Sequence, residues 1–167
     1  MNFVKKGILL ITLLTLIGSI AKAQDNSFSN TAILGIGTPI LDNGIGFHIG
    51  YNPSLSVHEY VAVEGQLSYF YAKVTGSFLS GDTGMVHSVN TLVGPRIYFT
   101  PQDAKVRPYI SALAGGLYNN EIIDRIDSAP EFGLGFSGGA YVMVNQLTFG
   151  LSYDTPGNVI LKAGYTF

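Results

Sequence analysis

The sequence predicts an all-β chain, an eight-stranded antiparallel up-and-down transmembrane β-barrel behind a cleavable signal peptide. Three observations carry that prediction. A short apolar run sits near the N-terminus between lysines and a small-residue site. Apolar and small polar residues alternate through most of the remainder. Charged residues make up 12% of the 167, where soluble domains carry about a quarter. Alternation with period two marks strands, because a helix places its apolar residues three and four apart.

The N-terminal elements come first. MNFVKK supplies a charged start, GILLITLLTLIGSI an apolar stretch, and Ala21-Lys22-Ala23 a small-x-small cleavage site. The apolar stretch is shorter than the roughly 20 residues of a membrane-spanning helix. Residues 1–23 are therefore expected to be a signal peptide, and 24–167 a single barrel domain beginning near Gln24. Cys is absent, which excludes a disulfide, a thiolate metal site and a lipid-anchored N-terminal cysteine. Without Lys5, Lys6 and Lys22, six basic residues face eleven acidic ones, a net charge of −5. That balance argues against nucleic acid as a partner.

Eight strands follow, expected at 31–38, 44–52, 59–71, 86–99, 106–118, 131–144, 146–154 and 158–167. The first alternates least cleanly. In the third, Val61, Val63, Leu67, Tyr69 and Tyr71 share one parity, while Ala62, Glu64, Gln66 and Ser68 share the other. The last strand repeats the pattern, with Val159, Leu161, Ala163, Tyr165 and Phe167 against Ile160, Lys162, Gly164 and Thr166. Turn residues separate the runs: Asn52-Pro53-Ser54, Thr100-Pro101-Gln102-Asp103, Asn145-Gln146 and Thr155-Pro156-Gly157-Asn158. The two longest connections are expected at 72–85, which could extend its neighbouring strands as a hairpin, and at 119–130.

Composition decides which face is outside. A soluble exterior would be about 25–35% Lys, Arg, Glu and Asp. Here the polar parity is mostly Gly, Ser, Thr and Asn, which suits the narrow interior of an eight-stranded barrel. The apolar parity is almost free of charge, as lipid requires. The apolar face is therefore expected to point outward. Aromatic rings near strand ends, such as Tyr51, Phe99, Tyr153 and Phe167, fit interfacial girdles. With both termini on the periplasmic side, the longer connections fall outside the cell.

The terminal strand LKAGYTF and the segment RPYISALAGGLY at 107–118 resemble those of the small outer-membrane β-barrel family of the OmpA/OmpX type, the porin-family barrels of Gram-negative bacteria. The resemblance spans about 30–167. It implies that Tyr165 and the final Phe167 form an assembly signal read by the barrel-assembly machinery, and that the chain lies in the cell outer membrane.

Candidate chemistry is sparse. Glu64, Arg96, Arg107 and Lys162 fall on the interior parity, and a charge in a narrow lumen needs a partner. A Glu64–Arg96/Arg107 network is expected to plug the periplasmic half, with Lys162 in the same half and Tyr98, Tyr109 and Tyr141 nearby. His48, His58 and His87 show no metal-ligand spacing. His87 and Ser88 are adjacent, so in a strand they face opposite sides and cannot pair as a catalytic dyad. The sequence thus points to no enzyme, no cofactor and no metal. It points to a structural or surface-interaction protein acting through its outer loops, with outer-membrane lipid around it, as a monomer. A small-solute or ion pore is the runner-up, followed by a lipid-modifying outer-membrane enzyme and a soluble exported ligand-binding barrel.

Overall fold

A computed structural model describes residues 27–40, 43–75, 83–123, 126–127 and 129–167. The expected signal peptide and the loop tips at 76–82 and 124–125 lie outside the described residues. The strands are β1 (Phe28–Pro39), β2 (Asn43–His58), β3 (Val61–Thr75), β4 (Thr83–Tyr98), β5 (Val106–Ile123), β6 (Ile126–Asp127), β7 (Glu131–Val144), β8 (Leu147–Asp154) and β9 (Asn158–Thr166). Each wall strand pairs antiparallel with the next, β5 pairing with β7 past the two-residue β6. β9 returns to β1 from Thr31↔Thr166 to Pro39↔Asn158, so eight strands close a barrel. β6 merely folds back on the end of β5, with Ile123 opposite Ile126. Followed from Asn158 around the wall through Asp154, Ser137, Glu64 and Ser54, the register returns to β9 at its opposite end, so the strands tilt steeply.

Burial follows the alternation, with the usual contents reversed. Arg96 and Lys162 are among the largest fully buried side chains, while Leu134 is 76% exposed and Leu34 65% exposed. The outward rows are Leu, Ile, Val, Phe and Tyr on every wall strand. This is the arrangement a hydrocarbon solvent selects.

Several strands run longer than expected. β2 continues through Pro53 to His58, where a connection over 53–58 was expected. Pro normally ends a strand because it has no N–H to donate. Here the β2–β3 register holds across it, from Tyr51↔Leu67 to Ser54↔Glu64, with Pro53 kept opposite Asn30 of β1 on its other side. The missing side chain of Gly65 leaves space for the ring, since a Cβ there would lie 3.3 Å from Pro53 Cγ. The periplasmic turn shrinks to Glu59-Tyr60. At the other end, β3, β4 and β5 pair as far as Thr75↔Thr83 and Gly84↔Ile123. β8 and β9 stop at Asp154↔Asn158. That end of the wall is therefore tall over β3–β5 and low over β8–β9. Between β7 and β8 the turn is Asn145-Gln146, with Asn145 at φ 55°, a left-handed conformation that Asn tolerates.

Candidate functional site

The lumen is built from the inward rows of all eight strands, and its side chains settle into three layers. The floor, at the end of the barrel that carries the Glu59-Tyr60 turn, holds Glu64 on β3, Arg96 on β4, and Tyr98, Tyr109 and Tyr141. Arg96 grips Glu64 twice, Nε donating to Oε2 at 2.9 Å and Nη2 lying 2.8 Å from Oε1. Asn52 Nδ2 donates to Glu64 Oε1, and Arg96 Nη1 donates to the Tyr98 hydroxyl at 3.0 Å. The guanidinium also sits 4.5 Å from the Tyr109 ring, which stacks on Tyr141 at 4.9 Å. Planar groups suit this close quarter because a guanidinium pairs with a carboxylate in its plane and with rings on its faces.

Two expected members of this network go elsewhere. Arg107 does not reach Glu64. It lies at the start of β5, with its guanidinium carbon 3.6 Å over the Tyr98 ring and Nη2 donating to the Glu59 carbonyl at 3.4 Å. Tyr98 thus lies between the two arginines, and the Glu59-Tyr60 turn offers the second a carbonyl acceptor rather than a carboxylate. Lys162 is not part of the floor either. Its Nζ donates to Asp154 Oδ2 at 2.8 Å.

That pair organises the middle layer. Asp154, at the end of β8, accepts from Lys162, from Ser137 Oγ at 2.7 Å and from Gln66 Nε2 at 3.3 Å. His48 Nε2 stands 3.7 Å from the same carboxylate. Asp154, Gln66 and Ser137 were not singled out from sequence, and His48 was weighed there only as a metal ligand. Their inward parity was legible. Their meeting depends on barrel stagger, which no single strand displays.

The layer at the mouth is apolar. Phe70, Ala72, Val74, Val86 and Ile160 form a buried cluster above the Asp154 site. Beside it, the low turn Thr155–Gly157 leans into the mouth. Asn90 Nδ2 donates to the Thr155 carbonyl at 3.0 Å, and the Thr155 hydroxyl accepts from Phe136 N at 2.9 Å. Side chains therefore occupy the lumen from floor to mouth.

His87 and Ser88 face opposite sides. Ser88 is fully buried inside, while His87 lies on the outer wall against Tyr69 and Tyr71. On β9, Phe167 exchanges backbone hydrogen bonds with Asn30, 2.8 Å and 3.1 Å long, and its side chain is 64% exposed. Tyr165 is outward too, its hydroxyl donating to Gln146 Oε1 at 2.8 Å. On the tall extracellular rim, Asn119 Nδ2 donates to Glu121 Oε1 at 3.2 Å.

No protein-family model matches the chain, and no curated protein matches it. Solved structures do. Neisserial surface protein A is 18% identical, with a TM-score of 0.55 over 86% of this chain and 98% of its own. Ail, the attachment invasion locus protein of Yersinia pestis, solved with the heparin analogue sucrose octasulfate, is 16% identical, with a TM-score of 0.54 over 85% of this chain and 97% of its own. The outer-membrane enzyme PagL is 12% identical, with a TM-score of 0.52 over 82% of this chain and 98% of its own. The architecture built here from alternation, closure and an inside-out distribution of apolar residues is that of the small eight-stranded outer-membrane barrels.

Proposed function

We propose that this chain spans the outer membrane of a Gram-negative cell as a monomeric closed barrel and works at the cell surface, presenting its extracellular rim and loops to a partner. The filled lumen carries this reading: a barrel packed with a buried Glu64–Arg96 pair, an Asp154–Lys162 pair and an apolar lid is a support rather than a conduit. The tall β3–β5 wall carries the strand ends at Thr75, Thr83 and Ile123 beyond those of β8 and β9. The names of Ail and Neisserial surface protein A, an attachment protein and a surface protein, agree with such a role. PagL shows that the same fold also carries chemistry. The opposed orientations of His87 and Ser88 favour the non-enzymatic reading. The signal peptide, outer-membrane lipid as the surrounding partner, and the assembly machinery acting on Tyr165 and Phe167 belong to the same proposal. It requires no cofactor and no nucleic acid.

The absence of Cys permits a clean test. Ser80→Cys in intact cells is expected to react with a membrane-impermeant maleimide, and unboiled protein from the outer-membrane fraction is expected to run faster than boiled protein on a gel. Soluble periplasmic protein without a mobility shift would overturn the membrane assignment. The surface role is tested by adhesion of expressing cells to matrix-coated plates, with loops 76–82 and 124–130 intact or replaced by Gly-Ser. Equal adhesion of the two strains would remove it.

A further inference from the structure

The outer wall is not uniformly convex. Over β8, β9, β1, β2 and β3 it carries two adjoining apolar grooves of about 750 and 590 Å³. Both lie within the range of small-ligand sites, about 300–1,000 Å³. They share Leu34, Ile49, Tyr69, Phe149 and Ala163, so they form one trough running along the wall. Its floor is low at Ala163 and rises to Leu34 and Phe149 at the sides. Tyr69 and Tyr71 line its extracellular half.

Polar groups gather beside that half. Lys73 continues the outward row of Tyr69 and Tyr71 and is exposed. Among the described residues it is the one Lys, Arg, Asp or Glu on the outward parity of a wall strand. A lysine on a lipid-facing wall costs about 2–4 kcal/mol at the bilayer midplane and about 0–1 near the interface. This one stands at the extracellular end of β3, where headgroups lie. The cross-strand partner of Tyr71 is His87. The Tyr69 hydroxyl and His87 Nδ1 share a hydrogen bond of 2.7 Å. With the hydroxyl donating, the imidazole proton sits on Nε2, a second donor for an anionic oxygen.

We propose that this wall seats one phosphorylated, multiply acylated lipid of the outer leaflet, with an acyl chain in the trough and a headgroup phosphate against Lys73 and His87. The assignment rests on the outer-membrane reading above. Charge complementarity selects the occupant: an apolar trough accepts any chain, and a cation at its outer end selects a phosphate over a neutral headgroup. A second copy of this chain would bring its own Lys73 row against a neutral wall and leave that charge without a counterpart.

The test uses full-length barrel extracted in mild detergent and measured by native mass spectrometry with diphosphoryl lipid A, with the same lipid dephosphorylated, and with phosphatidylethanolamine. One lipid A is expected to stay bound, and removal of its phosphates is expected to lower retention about tenfold, the scale of one charge-assisted contact. Lys73→Met is expected to lower lipid A retention by a similar factor, Lys73→Arg to keep it, and Ala163→Phe to lower it by filling the trough. Each variant is scored for the unboiled mobility shift, which separates loss of the site from loss of the barrel. Intact variants that retain lipid A like the parent would overturn the proposal. So would equal retention of phosphatidylethanolamine, or a dimer in place of a lipid adduct. Loss of the shift in the parent chain would instead remove the membrane reading on which the site rests.

Discussion

Glu64 holds Arg96 through two contacts in the lumen and accepts from Asn52. Removing one partner of a buried pair leaves an uncompensated charge, at a cost of about 3–5 kcal/mol. Glu64→Ala is expected to lower unfolding stability in urea by that amount, measured with the barrel in lipid vesicles. The double change Glu64→Met with Arg96→Met is expected to recover most of it, since an apolar pair of similar volume asks for no counter-charge. Glycines supply a second contrast. A Cβ on Gly150 would fall 2.2 Å from Tyr141 Cδ1 and 2.5 Å from the Ala140 carbonyl, whereas one on Gly116 meets nothing within 4 Å. Gly150→Ala is expected to destabilise by about 1–3 kcal/mol, and Gly116→Ala to stay within about 0.5 kcal/mol of the parent, by the same urea titration. Individual side chains were legible in the sequence by parity alone. Glu64 and Arg96 read as interior because Ala62 and Gln66, and Gly94 and Tyr98, flank them two places away. Lys162 read as interior for the same reason, but its partner did not, because Lys162 stands opposite Gly150 and reaches lengthwise to Asp154, which pairs with Asn158.

At the scale of the element, β7 shows the reach of periodicity: Glu131–Val144 alternates without interruption and its bounds agree with expectation. β2 shows the limit. Pro53 carries the strongest local signal against a strand, and the neighbouring strand eases it by having Gly65 where a Cβ would crowd the ring. That compensation lies on a different element and cannot be read from β2. β9 closes the wall with nine residues and is tied at its foot by Phe167 and Thr166, the latter donating its N–H to the Gln146 carbonyl at 2.7 Å. If Tyr165 and Phe167 serve as the assembly signal, deleting Phe167 acts on biogenesis more than on the finished barrel. Its removal is expected to reduce folded protein in the outer membrane several-fold, measured on unboiled gels. The urea midpoint of the same variant refolded in vesicles is expected to move little, because Phe167 contributes only an exposed ring and two backbone hydrogen bonds.

The whole molecule is an inversion of a soluble domain. Its polar groups are sequestered and its Leu, Ile and Phe rows face out, so charge scarcity and alternation together fixed the solvent before any contact was known. What composition could not convey was how completely the lumen is filled. Three layers, one aromatic and ionic, one ionic, one apolar, stand between the floor and the mouth. In planar bilayers the purified barrel is expected to give no ohmic current steps at moderate voltage. Regular steps at the scale of a water-filled pore would place the pore reading ahead of the surface role.

A wall that is tall over β3–β5 and low over β8–β9 does not meet a flat sheet of lipid evenly. In the proposed membrane setting the bilayer thickens beside the long strands and thins beside the short ones, or the barrel leans until the two sides agree, at a cost of fractions of a kcal/mol per ångström of mismatch. Either response gives a molecule that is round in cross-section a front and a back within the plane of the membrane. Neighbouring proteins and lipids then sort around it by their own thickness, so the unequal strand lengths orient traffic sideways as well as presenting a rim upward.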